Sequence, residues 1–182
     1  MTTRSIQVIL ILLVSFNLNI AFAQESSSKE SEAEKSSKHR IGPFIGYGLS
    51  PNLKGNFRMI PVLGLDYEYW FNERIALGLS NDLDLLGFTV ETSEGLDLER
   101  EFALVFTANG VFKPVGEWII SLGGGIEVEQ NESLGVFRLG TGWEFEVNSR
   151  LDLEPVIAWE MKGKATYHTI NFGLVIGLNF RK

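Results

Sequence analysis

The chain has no cysteine, five prolines and two histidines in 182 residues. Without cysteine there is no disulfide framework, no thiolate metal site and no residue on which a lipoprotein could be acylated. With His39 and His168 as the whole histidine complement, no Cys/His cluster exists for zinc. Basic residues are outnumbered, 16 against 23 acidic, and the formal charge of −7 argues against nucleic acid as a partner. Beyond the N-terminus no segment is apolar for long enough to be a transmembrane helix. No sustained helical period occurs either. Gly123-Gly124-Gly125 lies inside a strand pattern with no helix after it, which excludes a phosphate loop. No cofactor is expected.

The N-terminus reads as an export signal. Arg4 supplies a short positive region, Ile6 to Phe16 is apolar, and Ala21-Phe22-Ala23 ends in small residues. Residues 1–23 are therefore a predicted signal peptide, cleaved after Ala23. Asn17 and Asn19 interrupt the apolar stretch too early for a membrane anchor. Residues 24–39 are rich in Ser, Glu and Lys and contain no aromatic residue, so they are expected to be a disordered tether. Residues 40–182 form one domain.

Glycine and phenylalanine are plentiful, at 19 and 13, which suits a β protein built on aromatic side chains and tight interior positions. From Ile170 to Phe180 large apolar residues alternate with Asn171, Gly173, Val175, Gly177 and Asn179. That is a period of two. Eight such segments can be marked, at roughly 40–50, 60–71, 75–87, 101–113, 117–128, 134–147, 151–161 and 168–180. Each is long enough to cross a bilayer at a tilt. Leu65, Phe106, Leu122 and Leu174 belong to the apolar face. Thr107, Ser121, Gly140 and Gly173 belong to the small or polar one.

The connections alternate too. Asn72-Glu73-Arg74, Pro114-Val115-Gly116 and Asn148-Ser149-Arg150 are tight, whereas the links near 51–59, 88–100, 129–133 and 162–167 are longer. Aromatic residues gather at both segment ends. Tyr69, Phe71, Phe112, Trp118, Trp143, Phe145 and Phe180 lie near the short turns, and Phe102, Phe137, Trp159 and Tyr167 near the long loops. Two such belts suit a wall crossing two membrane interfaces. The fold expected is all-β, an eight-stranded antiparallel up-and-down transmembrane barrel with both termini and the tether in the periplasm. Pro155 stands mid-segment, where a closed ladder should show a bulge or a missing bond.

This pattern resembles the small outer-membrane β-barrels of the porin-like group, in particular the membrane domain of outer membrane protein A. The resemblance covers about residues 40 to 180 and is one of pattern, not of a diagnostic motif. It implies a Gram-negative outer-membrane location, outer-membrane lipid as surroundings, and the barrel-assembly machinery as a partner in biogenesis. The ending from Gly173 to Phe180 is similar to the signal that machinery reads, although Arg181 and Lys182 follow the aromatic residue. The group does not imply one activity.

The inward residues decide what such a lumen does. Pairing Val147 with Leu151 across the last tight turn sets Arg138 opposite Glu160, with Glu127 as the next carboxylate for the guanidinium and Gly125 and Gly140 as its space. The same register sets Glu144 opposite Glu154 and Glu146 opposite Asp152, a candidate weak cation site. Asp66 and Glu68 are inward nearby, and Asp82, Asp84 and Glu127 form a second acidic group. Some barrels that deacylate lipid A carry a catalytic His with a Ser two positions on. Here His168 is followed at that position by Ile170, so no enzyme is expected. The reading is a monomeric barrel with a structural or surface-interaction role and a lumen plugged by polar and charged side chains. The alternatives are a narrow ion or small-solute channel gated by lumen ion pairs, a lipid-modifying enzyme, and a soluble lipocalin-like barrel with its apolar face inside.

Overall fold

The structure, a computed structural model, describes residues 38–51, 57–91, 97–129, 133–163 and 167–180. The predicted signal peptide, the tether up to residue 37, the middles of the long loops and Arg181-Lys182 lie outside the described residues. Among the described residues the strands are β1 (His39–Pro51), β2 (Phe57–Trp70), β3 (Ile75–Asp84), β4 (Phe88–Glu91), β5 (Asp97–Arg100), β6 (Leu104–Phe112), β7 (Trp118–Val128), β8 (Ser133–Trp143), β9 (Phe145–Asn148), β10 (Leu151–Lys162) and β11 (Tyr167–Phe180). Every pairing is antiparallel; successive walls pair in chain order, with β3 meeting β6 past the β4–β5 hairpin and β8 and β9 both meeting β10, and β11 pairs with both β10 and β1, so the sheet closes. With β8 and β9 counted as one wall, this is an eight-stranded up-and-down barrel.

The period of two decides which way each side chain faces. Ile45, Leu63, Leu79, Leu122, Leu139, Ile157 and Leu178 are exposed on the outside. Their alternates, such as Thr107, Asn109, Arg138, Glu160 and Asn171, are buried inside. An apolar exterior around a polar interior rules out the soluble barrel, which needs the reverse. Phe71, Phe112, Trp118, Trp143, Phe145 and Phe180 are exposed towards the short-turn end, and Phe102, Phe137 and Trp159 towards the long-loop end. Tyr167 does not join that outer belt. It shares the inward parity of Thr169 and Asn171 and is buried. Leu174 lies mid-strand between Ile45 and Pro155 and is 36 % exposed. Leu174→Arg is expected to cost about 2–4 kcal/mol in urea unfolding from lipid vesicles, and Phe180→Arg, at the strand end, about 0–1 kcal/mol. Equal costs would show that Leu174 does not face the middle of an apolar layer.

The tight turns have local causes. Asn72 Oδ1 accepts the Arg74 and Ile75 amides at 2.9 and 3.0 Å, and Asn148 Oδ1 accepts those of Arg150 and Leu151 at 2.9 and 3.1 Å. Each asparagine thus closes its own turn through its side chain. The third turn instead uses Gly116 at φ +53°, a conformation that only glycine adopts at little cost.

Beyond shifts of up to three residues at the ends of β2 and β3, which span Phe57–Trp70 and Ile75–Asp84, the structure departs from the sequence reading in one link and two walls. The long link at 88–100 is not a plain loop but contains the β4–β5 hairpin, with Phe88 opposite Arg100. The wall after it starts at Leu104 rather than 101, because Phe102 takes a positive φ of 48° that breaks the extended run. The wall at 134–147 is broken at Glu144, whose amide bonds to Glu117 O at 3.0 Å. The break lies beside Pro155. The ladder from β10 to β8 runs down to Val156 and Gly142, and resumes with β9 at Leu153 and Phe145. Proline has no N–H to give, so the missing ladder bond expected there is present.

Candidate functional site: a lumen crossed by ion pairs

At the short-turn end the lumen opens as a vestibule of about 330 Å³ lined by Trp70, Arg74, Lys113, Glu144, Glu146 and Asp152, among others. Lys113, in the turn between β6 and β7, reaches Glu144 at 2.9 Å and Glu117 at 3.2 Å. Burial works against its charge, but these two carboxylates outweigh burial and hold the ammonium above the ordinary lysine pKa. The same ammonium lies 4.8 Å from the centre of the Trp70 ring.

Deeper in, Arg40 of β1 gathers three acids. Its Nη2 meets Asp152 Oδ1 at 2.5 Å and Glu154 Oε2 at 2.9 Å, and its Nη1 meets Glu68 Oε1 at 3.2 Å. Glu68 sits directly opposite Arg40, but Asp152 is two strands away, across Gly177 of β11. A Cβ at Gly177 would collide with both the Arg40 Nε and the Asp152 carboxylate, so the pair forms because that position is bare. Asn179 Nδ2 and Trp70 Nε1 donate to the remaining oxygens of Asp152 and Glu68 at 2.7 and 3.0 Å.

Within the candidate acidic cluster of Glu144, Glu146, Asp152 and Glu154, Asp152 stands opposite Glu146 as the register implied, and basic side chains of the chain itself meet three of the four acids. Arg40 holds Asp152 and Glu154, and Lys113 holds Glu144, while Glu146 is exposed. Among the described residues no three acidic or histidine side chains gather as a metal site.

Above Arg40 the barrel contains an apolar patch that the alternation did not signal. Phe44 points inward and packs with Val62, Val175 and Val156. Its ring rests on Gly46 and Gly173, where an added Cβ would lie 2.5 and 2.6 Å from ring atoms. Gly173, expected as part of an assembly signal, thus also makes room for a phenyl group.

Arg138 occupies the next level. It stands opposite Glu160 in the β8–β10 ladder as expected, although at the turn itself Leu151 pairs with Asn148 rather than Val147 and a register shift before Asp152 restores the expected alignment. Its nearer partner is Asp82, on the far wall, at 2.6 Å from Nη1, while Glu160 Oε1 lies 3.6 Å from Nε. Glu127, expected as the next carboxylate for Arg138, is engaged elsewhere: its carboxylate is held by Lys162 at 2.6 Å, by the Arg100 guanidinium and by the Tyr167 hydroxyl, which donates at 2.8 Å. On β7 the residue beside Arg138 is Gly123. A Cβ on Gly125 would meet the β6 main chain, so close strand approach is what requires glycine there.

Lys162 also approaches Glu160, at 3.4 Å, and Thr169 Oγ1 donates to the same oxygen at 3.2 Å. Asp82, Arg138, Glu160, Lys162, Glu127 and Arg100 thus alternate in charge across the interior from β3 to the β5 end. Arg100 closes that chain from the hairpin. Beside it, Phe88 and Val90 of β4 are buried against Ile60, Leu134 and Tyr167, with Leu98 packed on the cluster. The hairpin is therefore fixed on the long-loop end of the barrel by both apolar packing and an ion pair.

Sequence parity alone could have found Arg40 and Lys162, which share faces with Gly42 and Glu160. Nothing in the sequence pattern placed Arg100, because it lies outside the barrel walls.

No protein-family model and no curated protein matches the chain. Solved structures do. Neisserial surface protein A is 12 % identical, with a TM-score of 0.53 over 81 % of this chain and 100 % of its own. The attachment invasion locus protein Ail of Yersinia pestis is 13 % identical, with a TM-score of 0.54 over 80 % of this chain and 99 % of its own. The same protein in complex with the heparin analogue sucrose octasulfate gives 18 % identity and a TM-score of 0.53, over 79 % of this chain and 99 % of its own. At these identities the likeness is one of fold. With its closed eight-stranded sheet, apolar exterior and charged interior, the chain has the fold of a small outer-membrane β-barrel.

Proposed function

We propose that the protein is a monomeric outer-membrane barrel whose lumen is plugged, and which acts structurally or through its outer surface rather than by passing solute. The observation that carries this reading is the charge chain from Asp82 to Arg100, backed by the hairpin packed over the same end. An eight-stranded barrel is narrow enough for side chains to fill, and a filled, cross-linked interior supports a plug. The short turns and both termini then lie in the periplasm, and the hairpin faces outwards. Gly173 and Phe180 are proposed as the part of β11 read during barrel assembly; Phe180 is exposed at the strand end, accessible to such contact. No catalysis is proposed at His168, which faces outwards and stacks on Trp159 with ring centres 5.4 Å apart.

Refolded protein in a planar bilayer is expected to give no steady single-channel steps. Regular openings of wild-type protein would sink the plugged-barrel reading. A second reading, a gated narrow channel, has one specific support: Arg138 is shared between Asp82 and Glu160 on different walls at 2.6 and 3.6 Å. A gate that swaps those partners would show brief openings in the wild type that lengthen in Asp82→Asn.

A further inference from the structure

The β4–β5 hairpin is a sheet of its own. Among the described residues its two arms pair only with each other. The wall ladder beneath it ends at Leu83 and Leu104, and the hairpin ladder starts at Phe88 and Arg100. Four residues separate these pairs on one side and three on the other, so the two ladders are out of step by one. The chain bends in both connections, at Leu86 and at Glu101-Phe102.

The step turns one charge inward. Val105 and Ala103 are buried, so strict alternation would carry Glu101 inward next and leave Arg100 outside. Instead Glu101 is exposed and Arg100 is buried. Between them stands Phe102 at φ 48°, a left-handed conformation that disfavours a large side chain. One residue thus aims the guanidinium at Glu127 and Glu129 and keeps a third carboxylate away from them. The remaining hold is apolar, through Phe88 and Val90 on Ile60, Leu134 and Tyr167.

We propose that the hairpin is a strap that opens and closes over this end of the barrel as a unit, with Phe102 as its hinge and the Arg100 contacts to Glu127 and Glu129 as its latch. Backbone strain of this kind gathers at switch regions. Hinge and latch are one event here. Extending Phe102 restores the alternation, which turns Arg100 out and Glu101 towards the two acids. The wall need not change, because no ladder joins the strap to it. Opening uncovers Glu127 and Tyr167 but leaves Arg138 on Asp82 below, so it gives no conducting path. That the strap faces outwards rests on the plugged-barrel reading; its motion does not.

The chain has no cysteine, so single cysteines report the motion. Val90→Cys lies under the strap and Ala158→Cys in the wall, at positions 0 % and 3 % exposed. The measurement is the rate at which a bulky maleimide labels each in the refolded full barrel in detergent. Phe102→Gly and Phe102→Val both remove the ring, so their difference reads the backbone. Glycine accepts a positive φ and valine resists it. Val90→Cys is expected to label about five to thirty times faster with Phe102→Val than with Phe102→Gly. Arg100→Gln is expected to speed it as well, and Ala158→Cys to stay slow throughout. Equal rates in the glycine and valine variants would overturn the hinge, and an unchanged rate in Arg100→Gln the latch. Ala158→Cys accelerating in parallel would mean that the wall unfolds and would overturn the strap as a unit. If Phe102→Val fails to fold, Phe102→Gly against its parent decides, and labelling no slower than the parent overturns the hinge. Channel openings alongside the expected labelling would sink the plug alone, and equal labelling with a silent bilayer the strap alone.

Discussion

Replacing Arg40 with methionine is expected to destabilise the folded barrel by about 3–5 kcal/mol, because it strands carboxylates that the fold buries. The side chains of Arg40, Asp152, Glu154 and Glu68 are 2 %, 1 %, 7 % and 11 % exposed. Methionine keeps most of the volume, so the loss reads charge rather than a cavity. The acids it leaves behind repel one another, since Glu154 and Glu68 both lean on the same guanidinium. Adding Asp152→Asn to Arg40→Met should recover part of the loss, because one of the stranded charges goes. Urea unfolding from vesicles measures both. A loss below about 1 kcal/mol, the scale of exposed ion pairs, would mean that water solvates these carboxylates and that Arg40 is not what closes this level. Gly177→Ala supplies an independent check. It leaves every charge in place but puts a methyl group where the Arg40 Nε and the Asp152 carboxylate now lie. It should reproduce much of the same loss.

Arg138→Met is expected to cost a similar amount, about 3–5 kcal/mol, less whatever lumen water recovers. The informative measurement is a pair of double-mutant cycles. Arg138 with Asp82 should show the larger coupling, because that contact is 2.6 Å and charge-assisted, while Arg138 with Glu160 at 3.6 Å should show the smaller. Glu160 has Lys162 and Thr169 to fall back on. Asp82 has one oxygen on Arg138 and another with no hydrogen bond, so it depends on that contact more. Equal couplings would favour the shared arrangement on which the gated-channel reading rests. Additive losses in both cycles would remove Arg138 from the plug.

The ladder partner of Arg138 was legible because it follows from one turn. Asn148 closes a tight link through its own side chain, and past the register shift at Leu151–Asp152 and the break at Glu144 one alignment of β9 and β8 against β10 runs up to Arg138 and Glu160. Pro155 was legible for a similar reason, since a residue without an N–H leaves a gap wherever a ladder needs one. The sequence marks Asp82 as acidic and inward but does not make it Arg138's partner. It lies on β3, and β3 meets β8 only across the closed lumen. Arg40 and Asp152 were likewise unreadable as a pair, because their contact depends on β11 closing against β1 and on the bare Cα of Gly177 between them.

By itself the sequence determined the barrel, its faces and its turns. Those follow from a period of two, from residues that close turns locally and from strand lengths, all of which act between neighbours in the chain. The tertiary structure decided which charges meet. A long guanidinium reaches past its ladder neighbour, and in a cylinder the far wall is as near as the adjacent strand. The structure also turned the link at 88–100 into a hairpin fixed by Arg100 and Glu127, and placed Phe44 inside a polar lumen on Gly46 and Gly173. Both results come from packing in three dimensions, where space left by glycine and charge left unpaired by one strand are filled by residues distant in sequence.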